Sequence, residues 1–94
     1  MPVPEVTLAK DVGLLLLPYW PALLGQQAAP QGDAAYAKAQ GLWQQLKDRP
    51  QVLIAAQDLL TDLGHVEKQG TLRFRVKNAL EADPALAETV RALL

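Results

Sequence analysis

The chain contains no cysteine and no serine, and its single histidine is His65. Without thiols it has no disulfide framework, no thiolate metal site and no cysteine nucleophile. Its side-chain hydroxyls are confined to Thr7, Thr61, Thr71, Thr89, Tyr19 and Tyr36. The usual acyl-transfer triads, which join Ser or Cys to His, therefore have no members to draw on. Charge of one sign is also scarce. Nine Lys and Arg against ten Asp and Glu leave a net charge of −1. This argues against a nucleic-acid partner, whose footprint is a basic excess, and removes a brake on self-association. Aromatics are few, with two Trp, two Tyr and one Phe. The core must then be Leu, Ala and Val, a composition that favours helices. No glycine-rich phosphate loop or dinucleotide fingerprint occurs. No catalytic residue, metal or cofactor is expected.

What is present is divided unevenly along the chain. Residues 12–32 carry no charge, and their front half, Val12 to Leu24, is rich in leucine. A bilayer span needs about 20 apolar residues, and Pro18 and Pro21 interrupt this run. Two readings stand open. The segment is either the central helix of a small core or a surface that meets a membrane or a partner. In the second reading Tyr19 and Trp20 act as interfacial aromatics, and Leu14, Leu15, Leu17, Leu23 and Leu24 supply apolar contact. A cleaved signal peptide fits poorly, because Glu5 and Asp11 spoil its positive lead.

The remaining pattern predicts an all-α fold, a compact antiparallel bundle of five short helices, or six if Pro18 splits the first. Residues 1–94 form one domain, and the ending on Leu93-Leu94 suggests a piece of a longer polypeptide. Thr7 is the expected N-cap of a helix to Leu17, with a kinked continuation from Tyr19 to Gln27. Asp33 caps a second helix to about Lys47. Asp48 or Pro50 starts a third to Leu63, with Gly64 as its C-cap and His65–Gly70 as a connection or frayed turn. Thr71–Ala82 alternates polar and apolar like a strand, yet a lone strand has nothing to pair with, so helix is preferred. Asp83-Pro84 opens the last helix. The expected core is Leu15, Leu16, Trp20, Leu24, Leu42, Trp43, Leu46, Val52, Leu59, Leu72, Val76, Leu80, Leu86 and Val90.

Two kinds of charged feature remain. Asp58 and Asp62, at i and i+4, read as exposed, and His65 reads as a loop or cap residue. Lys68, Arg73, Arg75 and Lys77 place four cations within ten residues, followed by Glu81, Asp83 and Glu88. Such a run is either a solvated helix face or a bipolar surface suited to heterologous, propagating contacts. Phe74, an aromatic among arginines, has the composition of an interface anchor.

Several stretches also carry a resemblance. They are Leu42-Trp43-Gln44-Gln45-Leu46, Ala55-Ala56-Gln57-Asp58, Leu72-Arg73 and Val76-Lys77-Asn78-Ala79-Leu80. The tail Ala82-Asp83-Pro84-Ala85-Leu86-Ala87, running into Ala92-Leu93-Leu94, belongs with them. Together, over about Leu42 to Leu94, they resemble a small helical domain at one end of bacterial conflict and signalling proteins. These are the effector-associated, death-like or Bell-type modules of NLR-like defence systems. The resemblance implies an adaptor without enzymatic activity that binds itself or a related helical domain through homotypic helix contacts, sometimes as filaments. It equally allows a membrane-active, cell-killing domain, in which the apolar Leu14–Leu24 segment would be the working part. A cytoplasmic location follows in the first case and membrane recruitment in the second.

Overall fold

The computed structural model describes residues 4–94 and is helical wherever it is regular. Five helices of ten residues or more, α1 (Glu5–Leu16), α3 (Ala34–Leu46), α4 (Pro50–Leu60), α5 (Val66–Ala82) and α6 (Pro84–Leu93), are joined by one single-turn helix, α2 (Trp20–Leu23). Pro18 does split the first apolar segment, as the six-helix alternative required.

The start of α1 differs from expectation. Pro4, held extended at φ −66° and ψ 154°, occupies the cap position, and its carbonyl accepts the Leu8 N–H at 3.0 Å. Glu5 then lies in the first turn, where a carboxylate suits the positive helix end. Thr7 is inside the helix and caps nothing. Leu8, Ala9, Val12 and Leu16 are buried along one side, whereas Leu15 lies beside that line and is only half-buried.

Pro18 has no N–H to continue the ladder. The chain tightens into a 3-10 turn, Leu17–Tyr19, and restarts as α2 with Trp20 turned into the core. α2 ends at Leu23, short of the expected Gln27, because Gly25 adopts φ +83°. There the Gln26 N–H bonds the Pro21 carbonyl at 2.7 Å and the Gly25 N–H bonds that of Ala22 at 3.2 Å. This pair of bonds is a Schellman closure, open to glycine at little steric cost. Leu24, expected in the core, is half-buried just before that stop.

The other helix starts follow their side chains. Asp33 Oδ1 accepts the N–H groups of Ala35 and Tyr36 at 2.9 and 3.1 Å, and Asp83 Oδ1 accepts that of Leu86 at 3.2 Å. Arg49 holds the cap position of α4 without a side-chain bond, and Pro50 enters its first turn. α4 stops at Leu60, with Thr61 rather than Gly64 as its C-cap residue. His65 is itself a cap: its Nδ1 accepts the Lys68 N–H at 3.3 Å. Residues 66–70, expected as a connection or a frayed turn, are the first turns of α5, and the strand-like Thr71–Ala82 stretch is its continuation.

α5 is the longest helix and packs against both α1 and α4, while α3 lies against α6 and α1. It buries only Leu72, Val76 and Leu80, one line at i, i+4 and i+8, leaving both flanks to line grooves. Trp20, 0% exposed, meets Trp43 edge-on at 5.1 Å between ring centroids. Such aromatic pairs add roughly 0.5–1.5 kcal/mol beyond the area they bury. α1 and α5 approach closely at Gly13, where a Cβ would stand 3.1 Å from Arg73 Cγ. The radius of gyration, 12.4 Å, is that of a single compact body of this length. No described helix is long and apolar enough to cross a membrane.

Candidate interaction surface

Ion pairs among the described residues decide which charges remain available at the surface. Arg49 bonds Asp83 at 2.6 Å, Lys77 bonds Glu81 at 3.1 Å, and Arg91 meets Glu88 at 2.7 Å and Glu5 at 3.6 Å. Lys68 lies 3.6 Å from Asp58 and donates to Thr61 Oγ1 at 2.8 Å. Exposed pairs of this kind add little stability. Their larger effect is to neutralise surface charge locally. Glu81, Asp83 and Glu88, the three acids of the expected negative pole, each already face a cation of this chain.

The four expected cations do not form one patch. Lys68 lies in the first turn of α5, its ammonium turned back to Asp58 and Thr61 at the end of α4. Arg75 lies on the α4 side of α5, lining a groove with Gln51, Ile54 and Asp58. Arg73 and Lys77 lie on the α1 side, where they line a groove of about 210 Å³ with Phe74, Val6, Ala9 and Lys10. Phe74 is 53% exposed, and Lys77 Nζ and the Arg75 guanidinium stand 5.7 and 5.8 Å from its ring centre. A recess of about 30 Å³ continues past Arg73 to Leu14 and Gln69, room for about one water.

The α1–α5 face thus brings together exposed Val6, Leu14 and Phe74 with Lys10 and Arg73, two cations that have no acidic partner among the described residues. Val6 and Lys10 were missed from sequence. Their signal was a second stripe, Val6, Lys10 and Leu14 at i, i+4 and i+8, running opposite the Leu8–Val12–Leu16 line.

A counterpart of opposite sign lies at the α4–α5 turn. Val66 is 74% exposed, and its neighbours Asp62 and Glu67 form no ion pair among the described residues. Asp62 is exposed, as its spacing predicts, whereas Val66 and Glu67 fall in the stretch expected as a connection or a frayed turn.

The apolar segment distributes its side chains in two directions. Leu14 faces outward, whereas Trp20 is core, and Leu15, Leu17, Tyr19, Leu23 and Leu24 are half-buried against it. Tyr19 donates its phenol proton to Asp33 Oδ2 at 3.0 Å and lies edge-on to Tyr36 at 5.6 Å. Burial first, and the Asp33 carboxylate second, raise the Tyr19 phenol above its ordinary value. Asp83 is shifted the other way. The Leu86 N–H and then Arg49 hold its carboxyl below the usual range. Among the described residues no three His, Asp or Glu gather into a metal-binding group. No family model, curated protein or solved structure matches this chain.

Proposed function

We propose that this chain is a non-enzymatic interaction domain that self-associates through helix contacts. The observation that carries the reading is the α1–α5 face, where exposed Val6, Leu14 and Phe74 are interleaved with the unpaired cations Lys10 and Arg73. Apolar anchors ringed by charge are the composition of a recognition patch. The Asp62–Val66–Glu67 turn has the complementary composition, one exposed aliphatic between two unpaired acids. Two different patches of opposite sign make a heterologous contact, which propagates from copy to copy unless its rotation closes a ring. The resemblance of residues 42–94 to adaptor modules supports placing such an assembly in a bacterial defence or signalling pathway.

The test is sedimentation of the purified chain at rising concentration, from about 50 to about 500 mM NaCl, a range over which the screening length shortens about threefold. Size should grow with concentration and fall with salt. Arg73→Glu and Glu67→Arg should each abolish open-ended growth beyond a dimer, because each removes one end of the contact. A chain that stays monomeric throughout, or growth indifferent to both substitutions, rejects the reading.

Membrane recruitment through Leu14–Leu24 is the second reading, favoured by the exposed Leu14. Against it stands Trp20, whose insertion into lipid would dismantle its pair with Trp43. Co-sedimentation with anionic liposomes, dye release and a blue-shifted tryptophan emission would support this reading, and absence of all three rejects it.

A further inference from the structure

Two depressions of about 340 and 420 Å³ run end to end along the seam of α4 and α5 and join at Gln51 and Arg75. Short side chains line them, Ala55 in one and Ala79 and Ala82 in the other, so a partner can approach the helix backbones closely. Beside them stands Ile54, 64% exposed. Arg75 has no acid in reach among the described residues, and Asp58, on the same groove, is held only by Lys68 at 3.6 Å. One patch therefore contains a projecting branched side chain, a shallow floor to receive it, a cation and an anion.

A patch that holds both members of each complementary pair fits a copy of itself, the defining property of an isologous two-fold interface. An acidic helix laid here would satisfy Arg75 but oppose Asp58, and a basic one would do the reverse. A second copy meets both. We propose that the α4–α5 groove is a two-fold contact between two copies of this chain. Each Ile54 seats on the alanine floor of the other copy, and Arg75 pairs with Asp58 across the interface. The inference extends the self-association reading to a second surface and shares no groove-lining residue with the α1–α5 face.

The experiment separates the two contacts by working in the Arg73→Glu chain, where the head-to-tail contact is removed. That chain should sediment in a monomer–dimer equilibrium whose dimer fraction rises from low to high micromolar concentration. Adding Ile54→Asp should weaken dimerisation by about a hundredfold or more, since a two-fold interface suffers each loss twice. Ile54→Leu should preserve the dimer, and unchanged helical circular dichroism should show that these exposed-site variants fold. Arg75→Glu should weaken the dimer, and adding Asp58→Arg should restore it by exchanging the charges. An Arg73→Glu chain that remains monomeric at its solubility limit overturns the proposal, as does a dimer that ignores Ile54→Asp or is not restored by the exchange. If instead wild type never exceeds a dimer and the Ile54 series behaves as stated, the head-to-tail contact falls and this one stands.

Discussion

Replacing Trp20 by phenylalanine should leave the stability of the fold nearly unchanged, although Trp20 is its largest fully buried side chain. The reason is an imbalance already built into the site: the indole Nε1–H is buried without a hydrogen-bond acceptor among the described residues. An unmet buried donor costs roughly 1–3 kcal/mol. Phenylalanine removes that donor and keeps a ring for the edge-on contact with Trp43. It also removes about 40 Å³ of side chain, at about 1 kcal/mol of cavity cost. The lost apolar area contributes a further ~1 kcal/mol. Loss and relief nearly cancel, so the net change should lie within about 1 kcal/mol of zero. Alanine gains the same relief but loses the ring contact with Trp43 and leaves a far larger cavity, and should cost roughly 3–5 kcal/mol. That is about a fifth or more of the roughly 5–14 kcal/mol expected for a chain of this length. Urea unfolding followed by far-UV circular dichroism measures both variants without relying on the fluorescence of the residue being removed. The slope against denaturant should not change. A loss above about 2.5 kcal/mol for Trp20→Phe would mean that the N–H is satisfied in the folded state, and the reasoning would fail.

Gly13→Ala should reveal the tension at the α1–α5 crossing. Alanine gains up to about 1 kcal/mol in a helix interior, but its methyl would meet Arg73 Cγ at 3.1 Å. The gain should appear in full only beside Arg73→Ala, and a strictly additive double-mutant cycle would show that the two residues do not touch. Asp83, held below its ordinary 3.8, stabilises the fold above that pH, and the contribution disappears as pH falls through the lowered value. Asp83→Asn should therefore flatten the acid limb of a stability–pH profile, and an unchanged limb would refute the assignment. Tyr19, raised above 10.0, behaves with the opposite sign, its contribution vanishing as pH rises through the raised value. Tyr19→Phe should make the alkaline limb shallower, as read by unfolding midpoints on either side of pH ~10.

The features legible in sequence were those with short-range causes. Asp33 and Asp83 cap the helices that follow them because the bond each makes reaches only two or three residues ahead. Twelve of the fourteen expected core side chains are buried, and Leu15 and Leu24 miss by position beside a stripe or a stop. Thr7 was misread because Pro4 offers an extended residue three positions earlier, and a proline carbonyl can open a helix as well as any other. The expected continuation to Gln27 is cut short because Gly25 takes a positive φ that ends the helix. The surface was hardest to foresee. Val6 joins Phe74 only because α1 and α5 cross, and Asp83 ceases to be an available acid only because Arg49, 34 residues away, reaches it. Neither relation leaves a trace in local spacing.

The placement of Arg73 has a consequence for how tightly any partner can be held. A free arginine on a helix surface surrenders several rotatable bonds when it docks, and that entropy is subtracted from affinity. Here the aliphatic stem is laid across Gly13 before a partner arrives, so part of that loss is already absorbed by folding. Exchanging a hydrogen for a methyl at Gly13, which has no side chain of its own to offer a partner, should then dislodge the guanidinium and quicken dissociation, which makes the tightness of the grip a property of the first helix as much as of the fifth.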